Sequence, residues 1–246
     1  MAIQSLAADE FVHLHCASGY SLRYGAAFPD ALVQQAAAAG MKSIALTDRD
    51  GLYGAVRFVN ACMAANIKPV LGVDLPLQMP ANRLPTPAFG GQVVDSRPPR
   101  VTVLARSAAG IVGLNRLVSA SHELDGITPD VLRRVTEIVA DAGEGGLVLL
   151  LGPDSDVGRE LLTRRMLQAD EQLVDWIATG VEVQLEVVSH RARDPKVALN
   201  SASGLRTHGL PLSTPAAARF WRYAIERSLP AILTNSVRYL DPKQAR

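Results

Sequence analysis

Two histidines separated by one residue, His13 and His15, are the side chains of this chain best placed to do chemistry. They stand in a short apolar run, 11–15 (FVHLH), whose composition predicts a strand. Residues i and i+2 of a strand project from the same face, so both imidazoles can point at one ion. Imidazole is a common nitrogen ligand of transition metals. The pair therefore indicates two ligands of a metal site, whose other ligands must come from elsewhere in the sequence.

Short apolar runs alternate with longer amphipathic segments along the chain, which predicts an α/β fold built from βαβ units. Seven strands are predicted, at 11–15, 43–47, 68–75, 101–105, 147–151, 181–187 and 231–235. Helices are predicted at 30–40, 54–66, 107–121, 156–167, 170–178 and 215–228. This number of units favours a closed or nearly closed barrel, with functional groups at the carboxyl ends of the strands. The Pro- and Gly-rich stretch 76–99 is predicted to be an irregular loop.

Composition narrows the function classes. The 246 residues include 25 basic and 24 acidic side chains, and this balance disfavours strong DNA binding driven by the charge of the whole chain. Two cysteines, Cys16 and Cys62, make no disulfide framework and are expected to be buried thiols. No apolar run is long enough to cross a membrane, and the first residues lack the pattern of a secretory signal. We therefore expect a cytoplasmic protein with no membrane partner.

Four stretches together resemble one known family. FVHLHCASGYSLRYGA, SIALTDRDGLYGAVRFVNAC, KPVLGVDL and AILTNSVRYLDPKQAR follow one another from Phe11 to Arg246. They resemble the PHP (polymerase and histidinol phosphatase) domain of bacterial C-family DNA polymerase III alpha subunits, and most of all the error-prone, damage-tolerant branch. The resemblance implies one domain over 1–246, folded as a distorted seven-stranded (β/α) barrel. In metal-binding members, histidines, carboxylates and a cysteine hold up to three ions at the barrel mouth and hydrolyse phosphoesters or proofread DNA.

The chain departs from that ligand pattern at most positions. By resemblance, His13, His15 and Asp74 retain the chemistry of ligands, whereas other residues replace ligands at Tyr24, Arg49, Arg100, Pro153, Ser236 and Arg238. Arginine stays protonated in proteins and has no lone pair to offer a metal. We expect three guanidiniums facing Asp48, Asp50, Asp74 or Asp241 to form a salt-bridge network in place of the ions. No metal and no catalytic residue are then expected, and a weak single ion at His13, His15 and Asp74 is the alternative.

The expected function follows from this loss of ligands. The resemblance implies the N-terminal part of a DNA-directed DNA polymerase (a nucleotidyltransferase) acting in DNA replication, DNA repair and translesion synthesis, with this domain in a mainly structural role. The implied partners are a polymerase body beyond residue 246, DNA bound by the parent enzyme, and a sliding clamp or mutagenesis accessory proteins. Magnesium would belong to the parent polymerase, and this domain would carry no cofactor. The rival interpretation is an active metal-dependent phosphoesterase or 3′–5′ exonuclease, and the number of surviving ligands discriminates the two.

Overall fold

The computed structural model describes residues 11–79, 97–140, 146–190 and 214–240. Its strands are β1 (Ser43–Arg49), β2 (Lys68–Pro76), β3 (Arg100–Ala105), β4 (Leu147–Leu151), β5 (Glu182–Val188) and β6 (Ala231–Thr234). Its helices are α1 (Pro29–Ala38), α2 (Ala55–Ala64), α3 (Ala108–Leu124), α4 (Pro129–Ala140), α5 (Asp156–Leu162), α6 (Met166–Ile177) and α7 (Thr214–Glu226). The predicted α/β class is confirmed. Most of the predicted loop 76–99 lies outside the described residues.

One sheet holds the six strands in the order of the chain, β1-β2-β3-β4-β5-β6. β1 pairs with β2, β4 with β5 and β5 with β6 in parallel, but β3 is antiparallel to both of its neighbours. The expectation of uninterrupted parallel βαβ units is therefore wrong at β3. Two helices, α3 and α4, connect β3 to β4, and a pair of helices returns the chain to the end from which it left. Sequence analysis missed α4, and with it the antiparallel pairing of β4 with β3.

The segment at 13–17 joins the two edges of this sheet. Instead of the predicted strand 11–15, the structure has single parallel bridges from His13 to Ile44 and from Cys16 to Val237. On one side, the amide of Ala45 donates to the carbonyl of His13 at 2.8 Å. On the other, the amide of Val237 donates to the carbonyl of His15 at 2.8 Å. The segment thus takes the place of a seventh strand between β1 and the residues that follow β6.

Apolar side chains fill both sides of the curled sheet. Every residue of β4 is buried, as its continuous run of leucine and valine predicts for a strand covered on both faces. Leu14 and Ile232 pack against a small buried cluster of Leu104, Val148 and Leu150, so residues from separate strands meet on the inner side. Helices α3 to α7 cover the outer side of β2 to β5, and Trp176 of α6 is fully buried there. None of the described helices is both long and apolar enough to span a bilayer.

Candidate functional site

Polar side chains gather at one end of the sheet, which we call the mouth. Arg49 and Asp74 lie at the ends of β1 and β2, and Arg100 begins the reversed strand β3 at the same end. Glu186 lies near the carboxyl end of β5, where it pairs with Ile232 of β6. Parallel strands bring their carboxyl ends to a single edge, so the fold collects residues that are far apart in the chain.

Asp74 is the centre of an ion-pair network at the mouth. Its side chain is 4% exposed, and its two carboxylate oxygens accept from different arginines, Oδ2 from Nε of Arg49 at 3.0 Å and Oδ1 from Nε of Arg100 at 3.1 Å. Arg100 also donates to Asp50 and to the backbone carbonyl of Asp74, each at 2.7 Å. Burial alone lowers the pKa of Arg100, but the carboxylates of Asp74 and Asp50 raise it above its ordinary value. The network therefore occupies both carboxylate oxygens of Asp74.

Tyr24 lies between two cations at the mouth. The guanidinium carbon of Arg49 is 3.3 Å from the centre of the Tyr24 ring, and that of Arg238 is 4.1 Å away. Arginine stacks well on aromatic faces because the electron-rich ring attracts the planar cation. Burial raises the pKa of the Tyr24 hydroxyl, and the charges of Arg238 and Arg49 offset only part of that rise. Arg238 therefore faces an aromatic ring, and none of the described carboxylates pairs with it.

His15 is bound to an acid that sequence analysis did not single out. Its Nδ1 lies 2.8 Å from Oε1 of Glu186, which is buried in β5 and also accepts a hydrogen bond from the hydroxyl of Thr234. Burial lowers the pKa of His15, but the charge and the hydrogen bond of Glu186 raise it above its ordinary value. Burial likewise raises the pKa of Glu186, and His15 reverses the shift. The available signal was an acid among the buried apolar residues at the end of β5, LEVV, because a buried acid needs a partner.

Asp48 has a structural role next to the mouth. Its carboxylate accepts hydrogen bonds from the amide of Ser18 at 2.6 Å and from the hydroxyls of Ser18 and Ser21 at 2.8 and 2.7 Å. These bonds hold the loop that carries Tyr24 against the end of β1. The carboxylate is therefore engaged with its own loop, as the acid at a strand end often is.

The residues of the mouth do not fit the cluster of metal ions that the family resemblance implies. Among the described residues, no group of three His, Cys, Asp or Glu side chains could hold an ion. Asp74 is bound by two arginines and Glu186 by His15 and Thr234, while Nδ1 of His13 and Nε2 of His15 are buried without a partner. Pro153 and Ser236, at positions where the resemblance implies a thiolate and an acid, are both buried. Asp241 lies outside the described residues.

Comparison with known proteins identifies the family of the chain. The PHP domain model matches residues 13–190. The error-prone DNA polymerase of Mycobacterium bovis is 30% identical over 237 residues, which cover 96% of this chain and 19% of that protein. The DNA polymerase III subunit alpha of Escherichia coli K12 is 29% identical over 238 residues, 94% of this chain and 17% of that protein. The chain thus spans less than a fifth of the length of these relatives.

Solved structures agree in fold. An amidohydrolase from Chromobacterium violaceum superposes with a TM-score of 0.51 at 18% identity, covering 92% of this chain and 87% of that one. A two-domain protein from Bacteroides vulgatus, containing a predicted PHP-like metal-dependent phosphoesterase, gives a TM-score of 0.51 at 12% identity over 95% of this chain and 53% of that one. At these identities the likeness concerns the fold alone. From the match of the family model over most of its length, the chain belongs to the PHP domain family.

Proposed function

We propose that this chain is the PHP region of an error-prone DNA polymerase alpha subunit and that its mouth is a structural ion-pair network instead of a metal centre. One observation carries the structural part of the proposal. Both carboxylate oxygens of Asp74, the surviving acid of the ligand pattern, are taken by arginines that stand at lost ligand positions. The relatives that match nearly the whole chain are named as polymerases, which supports the parent enzyme.

Electrostatics explains how arginines can replace ions. A metal cluster holds a mouth together because its positive charge binds ligands from several strands at once. Arg100, at the start of β3, does the same with fixed charge, because it binds Asp74 of β2 and Asp50 beyond β1. Arg49 adds the ring of Tyr24 and, at 3.7 Å, the carboxylate of Asp154. The mouth therefore keeps its cross-links without the Lewis acid that phosphoester hydrolysis needs.

The polymerase activity is expected to lie in a body that follows residue 246. That body would contain the carboxylates that bind magnesium. It would also make the contacts with DNA and with a sliding clamp or mutagenesis accessory proteins. The parent enzyme would act in the cytoplasm, in replication or translesion repair synthesis. Reading the coding sequence beyond codon 246 tests this directly. We expect an open reading frame that continues into a polymerase, and a stop codon at that point would contradict the proposal.

A metal-uptake and turnover assay tests the structural role of the mouth. The full chain is produced in medium supplemented with manganese and zinc, and bound metal is measured by mass spectrometry. Hydrolysis of a chromogenic phosphoester and of a labelled primer is then measured with added manganese. We expect no stoichiometric metal and no turnover. Uptake of two or more ions per chain, or turnover that His13→Ala abolishes, would favour the rival phosphoesterase or exonuclease.

A further inference from the structure

A groove on the outer side of the sheet, separate from the mouth, is lined by arginines. It has a volume of about 480 Å³ and runs between α7 and the turn that joins α5 to α6. Arg164 and Met166 line one wall, and Pro215, Arg219, Arg222 and Tyr223 of α7 line the other. The α7 residues recur at intervals of three and four, so they form one face of that helix. None of these side chains belongs to the mouth.

The positive charge of this groove is not neutralised. Within 11–79, 97–140, 146–190 and 214–240, no carboxylate pairs with Arg164, Arg219 or Arg222. Arg219 donates to the backbone carbonyls of Leu161 and Leu162 at 3.3 and 3.2 Å. Burial lowers the pKa of Arg219, and the neighbouring charge of Arg164 lowers it further. The groove is thus a site where guanidiniums repel each other.

Neighbouring arginines show that acids were available nearby. Arg165, next to Arg164, pairs with Glu160, and Arg227 pairs with Asp170. The one acid that lines the groove, Glu226, lies 3.4 Å from Arg227. The arginines on either side of the groove are therefore paired with acids, whereas those inside it are not. This excess of positive charge inside the groove indicates an anionic ligand.

An exposed aromatic side chain, Trp221, directly precedes Arg222 on α7. Trp221 is 54% exposed, whereas Trp176 of α6 is fully buried. Trp221 lies three residues after Ala218, which lines the groove. Ile225, one turn further along α7, is 61% exposed. An exposed indole next to unpaired guanidiniums combines a stacking platform with a track for phosphates, the two elements of single-strand binding.

We propose that this groove binds the phosphate backbone of a single-stranded nucleic acid, with Trp221 stacking on a base beside it. Planar guanidinium groups match the geometry of phosphate oxygens. An indole can stack on a base, but it makes no comparable contact with the carboxylate of an acidic protein segment. An acidic protein segment is therefore the less favoured ligand. The balanced charge of the whole chain does not oppose this, because Debye screening confines the field to within about 10 Å at 0.1 M salt.

Fluorescence anisotropy of the full chain with a labelled oligothymidylate tests the proposal. We expect a dissociation constant of about 1–100 μM at physiological salt. Arg164→Gln and Arg222→Gln, which leave the helix-capping Arg219 intact, should each weaken binding about fivefold at 0.1 M salt. Each should also reduce the slope of log affinity against log salt by about 0.7. Trp221→Ala should weaken binding about fivefold or more without changing that slope.

Arg134→Gln is the matched control, because it removes an exposed charge from α4, which does not line the groove. It should bind as the wild type does. If Arg134→Gln weakens binding as much as the groove variants, the interaction is a diffuse effect of net charge and the proposal is wrong. Polyglutamate binding that Arg222→Gln abolishes, with no binding of oligothymidylate, would overturn it in favour of an acidic protein partner. These outcomes are independent of the metal content of the mouth.

Discussion

Asp74 shows how much of the mouth depends on one carboxylate. Arg49 and Arg100 are both partly buried, and Asp74 is the acid that they share. A buried ion pair gains little over an apolar replacement, but a buried charge left without its partner is costly. The energetic role of Asp74 is therefore to neutralise two guanidiniums that the fold has already taken out of water.

Asp74→Asn should lower the free energy of unfolding by about 3–5 kcal/mol, because the amide keeps the shape of the side chain but removes the buried charge that both guanidiniums share. Only the half-exposed carboxylates of Asp50 and Asp154 would then remain beside them. Urea unfolding of the full chain measures this. Asp130→Asn is the control, since Asp130 is 75% exposed and its pair with Arg133 should contribute less than about 1 kcal/mol. Equal effects of the two substitutions would mean that the network does not stabilise the mouth.

Single residues also mark the limit of sequence analysis. Arg49 and Arg100 could be placed near Asp74 because the family motifs align all three positions. The partner of His15 could not be predicted, because Glu186 lies 171 residues away along the chain. The stacking of Arg238 on Tyr24 was not predicted either, and Asp241, one of the carboxylates expected near the arginines, lies outside the described residues. Contacts between distant residues depend on strand order and register, which one sequence does not encode locally.

At the scale of elements, α5 begins with a buried acid that works against the fold at neutral pH. Asp156 accepts a hydrogen bond from the indole of Trp176 at 3.1 Å, and burial raises the pKa of its carboxyl despite that bond. An acid whose pKa is higher in the folded state destabilises that state above this pKa. The penalty disappears below its unfolded pKa of about 3.9. The start of α5 thus favours a neutral acceptor.

Asp156→Asn should raise the free energy of unfolding at pH 7, because the amide oxygen can still accept from Trp176 without burying a charge. The gain should shrink as the pH falls through the raised pKa of the folded state, and it should be lost below about 4. Chemical unfolding measured across this pH range gives both quantities. Asp156→Ala, which leaves the buried indole N–H without an acceptor, should instead lower stability by about 1–3 kcal/mol. A gain for Asn that does not depend on pH would contradict the electrostatic explanation.

The loop before α1 has space for only one kind of residue at Gly25. A Cβ there would lie 2.1 Å from the backbone oxygen of Ser18, in the part of the loop that Asp48 holds. Gly25→Ala should therefore displace Tyr24 from its two arginines and cost about 1–3 kcal/mol by thermal or chemical unfolding. Gly19→Ala is the control in the same loop, since its Cβ would meet no atom closer than 3.7 Å. Similar losses for both would show that loop flexibility, and not the close approach, matters.

Elements with a strong local pattern were predicted well, and those that depend on connection were not. β4 was predicted with its observed bounds because five consecutive apolar residues admit little else. Helix α4 was missed even though Leu132, Val135 and Val139 recur at helical spacing and are buried. The antiparallel pairing of β4 with β3 was missed for the same reason, because two helices in a connection, in place of one, return the chain to the end from which the strand left. Strand direction is therefore a property of the connection and not of the strand sequence.

At the scale of the whole molecule, closure of the sheet depends on few bonds. Carbonyls of the segment 13–17 accept hydrogen bonds from the amides of Ala45 and Thr47 at one edge of the sheet. At the other edge, a carbonyl of the same segment accepts from the amide of Val237. A sheet edge without a partner exposes its backbone groups to water. Since one short segment serves both edges, a loss of bonding at one edge should be felt at the other.

Val237→Pro tests this coupling. Proline removes the amide that donates to His15, and it disfavours the left-handed backbone of Ser236 before it, which has a φ of 45°. If the segment couples the edges, native-state hydrogen exchange at Ala45 and Thr47, across the segment, should accelerate about tenfold or more. Val237→Ala keeps the amide and should leave both rates nearly unchanged. Faster exchange confined to the residues after β6 would mean that each edge is held independently, and that the curled sheet is stable without a closed ring of hydrogen bonds.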